Sequence, residues 1–272
     1  MMAQILLKFG FHNFLNAQPV VVPLCRRARD AGFAMVFDVP GALAERLAAG
    51  VLDLAMIPAI EYLKRAQEYR LVPGLSIASR GPVGTVLLVS GKPLGEAARV
   101  AVDERSRTSV ALLKILFGDL FPPGVHFSPL PPDVSSMFDA HDAALIIGDQ
   151  ALRIDRNDPA LRVWDLSEEW FARTEKTFVH AVVAVRPEVK LTRRMLETIE
   201  EAKAQRGDGL KDIVRVRAEQ MDLPAGTIRD YLEHKIIYDL GEEELAGLRL
   251  FQQIANECGL VDRAFPLRFI GE

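Results

Sequence analysis

Short apolar segments alternate along this chain with longer amphipathic segments, and this alternation restricts the folds that it can adopt. Residues 5–9, 34–37 and 52–57 are short apolar runs of the kind that form buried strands. Residues 19–31 and 59–67 have the apolar spacing of helices. A strand–helix–strand order predicts a mostly parallel sheet with helices on both faces. The sequence therefore indicates an α/β protein.

Two adjacent strands follow at residues 71–78 and 83–89, and a second strand–helix series begins near residue 99. A chain of 272 residues is long for a single hydrophobic core. We therefore predict two lobes with mixed sheets, and we expect the chain to cross between them near residues 90–95 and 186–187. The predicted first lobe is discontinuous and comprises residues 1–90 and 187–272, and the second lobe, residues 91–186, is inserted into it.

The composition restricts the kinds of molecule that this protein is expected to bind. The net charge of −4 leaves no basic excess to neutralise phosphates, which argues against a nucleic-acid or anionic-membrane partner. Cys25 and Cys258 lie far apart in the chain, which favours a reducing cytoplasm over a disulfide framework. The start of the chain lacks the features of a secretory signal, and no apolar run approaches the roughly twenty residues that span a bilayer. We expect a cytoplasmic protein that acts on a small molecule.

Small hydroxyl side chains surround a Gly-Pro turn at residues 76–85. Ser76, Ser79 and Thr85 flank Gly81, directly before the apolar residues 86–89. A flexible backbone beside neutral hydrogen-bond donors on a rigid strand is typical of small-molecule sites. The alternative is a plain turn that joins two antiparallel strands.

A second hydroxyl-rich segment, Ser106-Arg107-Thr108-Ser109, stands directly before an amphipathic run. The free amide groups and the dipole at a helix start bind carboxylates and phosphates. The alternative is ordinary capping of the helix by these side chains. Together the two segments predict a polar ligand held between the two lobes.

Polar residues also follow two of the predicted strands, at the edge where open α/β sheets bind ligands. Asn16 comes after the first strand and offers both a donor and an acceptor, although it could instead form an Asx turn or a cap. Gly148 and Asp149 follow the apolar residues 143–147, and Asp149 could contact a ligand or simply cap the next helix. His12 by itself is weak support for an acid or base.

Several well-known catalytic signatures do not occur in the chain. There is no Walker loop, no GxGxxG segment at the first helix, no nucleophile elbow and no HExxH. The five histidines are scattered, so the sequence does not predict a metal site.

Taken in order, these segments resemble one family, the chorismate dehydratases of the futalosine route to menaquinone. The resemblance extends over nearly the whole chain. It is carried by Gly10-Phe-His-Asn-Phe-Leu-Asn-Ala-Gln-Pro19 and by residues 52–62, 76–86, 106–110, 130–133, 144–149 and 238–260.

The resemblance implies a two-lobed fold like that of type II periplasmic-binding proteins, with the ligand between the lobes. It implies a hydro-lyase that converts chorismate to 3-[(1-carboxyvinyl)oxy]benzoate and water, with no metal or organic cofactor, as a monomer or homodimer. By matching position, Asn16 and Thr85 are the expected catalytic residues. The expected substrate-binding residues are Ser79, Gly81, Ser106, Arg107, Thr108, Ser109, Gly148 and Asp149.

Two alternatives to this function stay open at the level of sequence. The first is a non-catalytic protein that binds small carboxylates with the same architecture, because a fold does not determine a function. The second is the sibling enzyme of the pathway, 1,4-dihydroxy-6-naphthoate synthase, although residues 15–19 and Gly81-Pro82-Val83 favour the dehydratase.

Overall fold

Two five-stranded sheets form the framework of the protein in a computed structural model that describes residues 6–271. The strands are, in chain order, β1 (Leu7–Phe11), β2 (Phe33–Phe37), β3 (Leu54–Pro58), β4 (Arg70–Ser79), β5 (Val86–Ser90), β6 (Arg99–Asp103), β7 (His126–Leu130), β8 (Ala143–Ile147), β9 (Arg162–Asp165) and β10 (Phe178–Val185). The helices are α1 (Gln18–Ala31), α2 (Pro40–Ala48), α3 (Ala59–Lys64), α4 (Thr108–Phe117), α5 (Val134–Asp139), α6 (Leu166–Thr174), α7 (Arg193–Ala204), α8 (Leu210–Met221), α9 (Ala225–Asp230) and α10 (Glu242–Glu257). Residue 5 of the predicted first strand lies outside the described residues.

Both sheets are mixed, and they repeat one plan. The first sheet has the order β2-β1-β3-β10-β4, with β1 parallel to β2 and β3, and β10 antiparallel to β3 and β4. The second has the order β7-β6-β8-β5-β9, with β6 parallel to β7 and β8, and β5 antiparallel to β8 and β9. The predicted α/β architecture with two mixed sheets is therefore confirmed.

The chain crosses between the sheets at places that differ from the predicted ones. Strand β5 was expected in the first lobe but pairs in the second sheet, and β10 was expected in the second lobe but pairs in the first sheet. The crossings consequently lie at residues 80–85 and 175–177. The alternative that residues 80–85 form a turn between paired antiparallel strands is wrong, because β4 and β5 belong to different sheets. An apolar strand carries no signal of its partner when that partner is distant in sequence.

The central strands are apolar because they are covered on both faces. Every residue of β3, β5 and β8 is buried, which explains why their sequences are continuous apolar runs instead of alternating ones. Within residues 6–271, no helix is long and apolar enough to cross a membrane.

An aromatic cluster packs α6 and α10 against β10, next to the second crossing. The rings of Trp170, Phe178 and Phe251 lie edge to face, with centroids 5.0–6.0 Å apart. Edge-to-face pairs of this kind stabilise a core beyond the area that they bury. Gly247 lets α10 pack closely against the backbone of Thr177, and a Cβ at residue 247 would overlap the Thr177 carbonyl oxygen.

Candidate functional site

The antiparallel pairing of β5 with β8 brings two of the predicted site residues together. Val86 lies opposite Ile147, so Thr85 and Gly148 are neighbours just beyond the ends of these strands. The Gly148 amide donates a hydrogen bond of 2.9 Å to the Thr85 carbonyl oxygen. Gly148 has a φ of 69°, in the region that favours glycine. A Cβ at this position would lie 3.9 Å from the Phe14 ring.

Asn16, which follows β1 of the first sheet, lies near Thr85 and Gly148. It lies in a 3₁₀ turn, Leu15–Ala17, between β1 and α1, which begins with a proline in its first turn, as proline favours. Its Oδ1 atom is buried and has no hydrogen-bond partner within the described chain. A buried amide oxygen without a partner is costly unless a ligand satisfies it.

Tyr231 joins these two predicted catalytic residues. Its hydroxyl lies 3.0 Å from Thr85 Oγ1. The Asn16 side chain lies close enough to act on the pKa of this hydroxyl, which it lowers. Burial raises the pKa of Tyr231, so the hydroxyl stays protonated at neutral pH. We call Asn16, Thr85 and Tyr231 the Tyr231 cluster. Tyr231 was not among the predicted site residues, because a tyrosine in an amphipathic segment is ordinarily a core residue.

Asp149, which follows β8 of the second sheet, binds residues that lie outside that sheet, Leu15 and Arg217. Its carboxylate accepts a hydrogen bond of 3.1 Å from the Leu15 amide and one of 2.6 Å from the Arg217 guanidinium. Burial raises the pKa of Asp149, while these partners act to lower it. The alternative that Asp149 caps the helix that follows it is wrong, because its side chain contacts Leu15 and Arg217 instead. Its role as a substrate-binding residue stays a prediction.

Asp165 holds the first crossing in place, and sequence reasoning missed it. Its buried carboxylate accepts hydrogen bonds from the Gly84 amide at 2.6 Å and from the Ser167 amide at 3.1 Å. One side chain thus caps α6 and fixes the residue before Thr85. The Asp-Leu-Ser segment at the start of a helix was the signal for the cap, although nothing in it pointed to Gly84.

The N-terminus of α4 has no side-chain cap among the described residues. Arg107 occupies the N-cap position, and within residues 6–271 no side chain caps the helix, so ordinary capping does not explain the hydroxyl-rich segment. Thr108 has a structural contact: its hydroxyl accepts from the Ile60 amide and donates to the His180 carbonyl oxygen. Arg107 pairs with Glu45 at 2.9 Å. Ser106 and Ser109 are buried beside it, at 8% and 7% exposure.

A cavity of about 620 Å³ lies beside the α4 start, between α2 and α3 on one side and β6 and α4 on the other. This volume is in the range of small-molecule sites. Ser106 and Arg107 line the cavity, together with Gly41, Ile60 and Arg105. Asn16, Thr85 and Gly148 are not among its lining residues, so the predicted site residues fall into two neighbouring groups.

Ser79 ends β4 and Gly81 lies in the first crossing, and neither residue is part of the Tyr231 cluster. The Ser79 hydroxyl contacts Ser167 Oγ at 2.5 Å and His180 Nε2 at 2.8 Å, and burial lowers the pKa of His180 to about 4. Gly81 has a φ of 77°, and a Cβ there would meet nothing within 4 Å. Ser79 thus contacts protein groups, and Gly81 permits the turn.

His12 is a neutral, enclosed side chain at the end of β1. It is 3% exposed, and its ring lies 5.3 Å from the Phe14 ring. Burial lowers its pKa to about 4, which makes it a weak base. Among residues 6–271, no group of three or more His, Cys, Asp or Glu side chains is arranged to hold a metal ion.

Solved structures share this architecture. A protein from Archaeoglobus fulgidus superposes with a TM-score of 0.74 at 16% identity, covering 93% of this chain and 98% of that one. The periplasmic aliphatic sulphonate binding protein SsuA from Escherichia coli superposes with a TM-score of 0.63 at 19% identity, covering 99% and 95%. At these identities the likeness shows the fold alone, and it confirms the predicted periplasmic-binding-protein-like fold.

Sequence comparison is more specific. The chorismate dehydratase of Thermus thermophilus is 30% identical over 248 residues, which cover 86% of this chain and 90% of that protein. A family model described as menaquinone biosynthesis matches residues 7–257. The chain therefore belongs to the menaquinone biosynthesis family.

Proposed function

We propose that the protein is a chorismate dehydratase, which converts chorismate to 3-[(1-carboxyvinyl)oxy]benzoate and water in the futalosine route to menaquinone. The relative from Thermus thermophilus carries that activity in its name and aligns along most of both chains. Two observations carry the proposal: Thr85, which precedes β5, contacts the Tyr231 hydroxyl, and Asn16, which follows β1, has a buried amide oxygen without a partner in the described chain.

The proposed reaction removes one proton and one hydroxide from neighbouring ring carbons. The carbon that bears the enolpyruvyl ether loses its proton, and the adjacent carbon loses its hydroxyl group. The electrons of the broken C–H bond complete the aromatic ring, and the proton and the hydroxide leave as water. Aromatisation supplies much of the driving force, so the protein has to position the dianion and assist the departure of hydroxide.

Neutral donors suit that second task. The Thr85 hydroxyl and the Asn16 amide can hydrogen-bond the leaving hydroxyl and stabilise the negative charge that develops on it. The open start of α4 offers amide groups and a dipole to a substrate carboxylate, and Arg107 adds a positive charge beside it.

Neither His12 nor Asp149 is suited to act as the base that removes the ring proton. His12 is a weak base because burial lowers its pKa to about 4, and the Asp149 carboxylate is engaged by Arg217 and the Leu15 amide. We therefore propose that the enolpyruvyl carboxylate of the substrate takes the ring proton. Turnover abolished by His12→Ala or Asp149→Asn, with chorismate binding intact, would contradict this step.

The proposed activity is tested by incubating purified protein with chorismate and separating the products by liquid chromatography against authentic 3-[(1-carboxyvinyl)oxy]benzoate. We expect conversion by the wild type. We expect Asn16→Ala and Thr85→Ala to lower kcat by about 100-fold or more, the scale for loss of one transition-state donor. Ser136→Ala, which removes an exposed hydroxyl on α5, serves as the matched control and should leave kcat unchanged.

The same experiment separates the alternatives. A solute-binding protein would bind chorismate without forming an aromatic product. The sibling synthase would leave chorismate intact and form 1,4-dihydroxy-6-naphthoate from its own cyclic precursor. Either result would overturn the proposal.

A further inference from the structure

Tyr231 occupies an unusual position for a fully buried side chain. It begins a π-helical turn, Tyr231–Lys235, that directly follows α9 and ends before the bridge between Ile237 and Ala78. Wide turns of this kind are rare, and they are frequently found at functional sites. Here the turn accompanies a tyrosine hydroxyl that reaches Thr85, although the rest of its ring lies in the core.

The surroundings of the Tyr231 hydroxyl indicate which atom donates in its hydrogen bond with Thr85. A protonated phenol has one proton to donate and accepts through its oxygen. The Asn16 amide oxygen has no partner within the described chain, so the Tyr231 proton does not go to it. The acceptor that remains in contact is Thr85 Oγ1, at 3.0 Å.

We propose that Tyr231 is a positioning residue of the dehydration: its hydroxyl donates to Thr85 Oγ1 and thereby turns the Thr85 proton towards the leaving hydroxyl. This inference rests on the proposed function. The order of donation runs from Tyr231 to Thr85, and from Thr85 to the substrate. Successive hydrogen bonds polarise one another, so the final donor is both oriented and strengthened.

The test is Tyr231→Phe, which keeps the ring and removes only the hydroxyl. We expect kcat for chorismate to fall by about 10- to 100-fold, less than for loss of the direct donor, with KM changed by less than about threefold. Tyr238→Phe is the matched control, because the Tyr238 hydroxyl is equally enclosed and has no hydrogen-bond partner among the described residues. It should keep wild-type kcat. Thermal unfolding of both variants verifies that they are folded at the assay temperature.

A double-mutant cycle separates positioning from a structural role. In a Thr85→Val background, Tyr231→Phe should lower kcat no further, because no hydroxyl is left to orient. An equal fold-loss in both backgrounds, or a wild-type kcat for Tyr231→Phe, would overturn the inference while leaving the proposed function standing. Absence of turnover by the wild type would overturn the proposed function and this inference with it. If Tyr231→Phe does not fold, Tyr231→Met, which fills a similar space without a hydroxyl, takes its place in the same cycle.

Discussion

At the scale of single residues, the half-buried carboxylate of Asp149 and the buried carboxylate of Asp165 position the proposed catalytic residues by binding the backbone next to them. Asp149 binds the amide of Leu15, which precedes Asn16, and Asp165 binds the amide of Gly84, which precedes Thr85. Hydrogen bonds from backbone amides to carboxylates are charge-assisted and are stronger than neutral ones. The backbone next to Asn16 and next to Thr85 is thus held by carboxylates from elsewhere in the chain, and not by the side chains of Asn16 and Thr85 themselves.

His12 gives a prediction for the pH dependence of stability. Its folded-state pKa of about 4 lies below the ordinary value of 6.5, so the unfolded chain binds a proton that the folded chain excludes. The stability contributed by neutral His12 is present above pH 6.5 and is lost as the pH falls towards 4. We expect the free energy of unfolding, measured with urea between pH 7 and about pH 5, to fall less steeply in His12→Leu than in the wild type.

The slope of the free energy of unfolding against pH should differ between the two proteins by up to about 1.4 kcal/mol per pH unit, the value for one proton. His126→Gln is the matched control, because His126 is exposed on β7, and its slope should equal that of the wild type. Identical slopes for His12→Leu and the wild type would show that His12 is not excluded from protonation.

At the scale of helices, two glycines with different surroundings predict opposite effects of the same substitution. Gly247 in α10 faces the Thr177 carbonyl oxygen, which a Cβ would overlap, whereas a Cβ at Gly226 in α9 would meet nothing within 4 Å. We expect Gly247→Ala to lower the free energy of unfolding by about 1–3 kcal/mol through overpacking. Gly226→Ala should raise it by about 0.5–1 kcal/mol, because alanine favours helix.

Urea unfolding at constant pH measures both variants. A stable Gly247→Ala protein would mean that α10 can move away from residue 177 without cost, and that the close approach does not hold the second crossing in place.

At the scale of the whole molecule, a few polar contacts bridge the two sheets and their helices. Asp149 with Arg217 bridges on one side, and Thr108 with the Ile60 amide bridges on the other. These bridges surround the region where Asn16 and Thr85 meet, so they stabilise the arrangement in which the cleft groups face each other.

Loss of the Arg217 bridge should weaken substrate binding more than it slows chemistry. Arg217→Gln removes the cation that pairs with Asp149 at 2.6 Å and leaves that carboxylate without its charged partner. We expect KM for chorismate to rise about 3- to 10-fold, equivalent to roughly 1 kcal/mol, with kcat within about threefold of the wild type.

Arg215→Gln on the same helix is the matched control, because the Arg215 side chain is 62% exposed and pairs only with the exposed groups of Asp212 and Glu219 in the described chain. Steady-state kinetics of the two variants decide the question. A kcat loss for Arg217→Gln as large as that expected for Thr85→Ala would mean that Asp149 and Arg217 act in the chemical step.

The amino-acid sequence by itself predicted most of the elements and the fold class, and it supplied candidate residues for the site. Apolar runs at β3 and β8 and proline at the start of α1 and α2 are local signals, so strands and helices could be predicted from nearby residues. Asn16 and Thr85 were predicted because each carries its signal in an ordered local motif.

The tertiary structure alone decided which strands share a sheet and which distant groups complete the site. Strands β5 and β10 are apolar in either sheet, so only pairing with remote strands assigns them and moves both crossings. Tyr231, Asp165 and Arg217 act on Thr85, Gly84 and Asp149 from far along the chain. No local pattern encodes such contacts, because they depend on how complete elements pack, and packing brings together residues whose own neighbourhoods are ordinary.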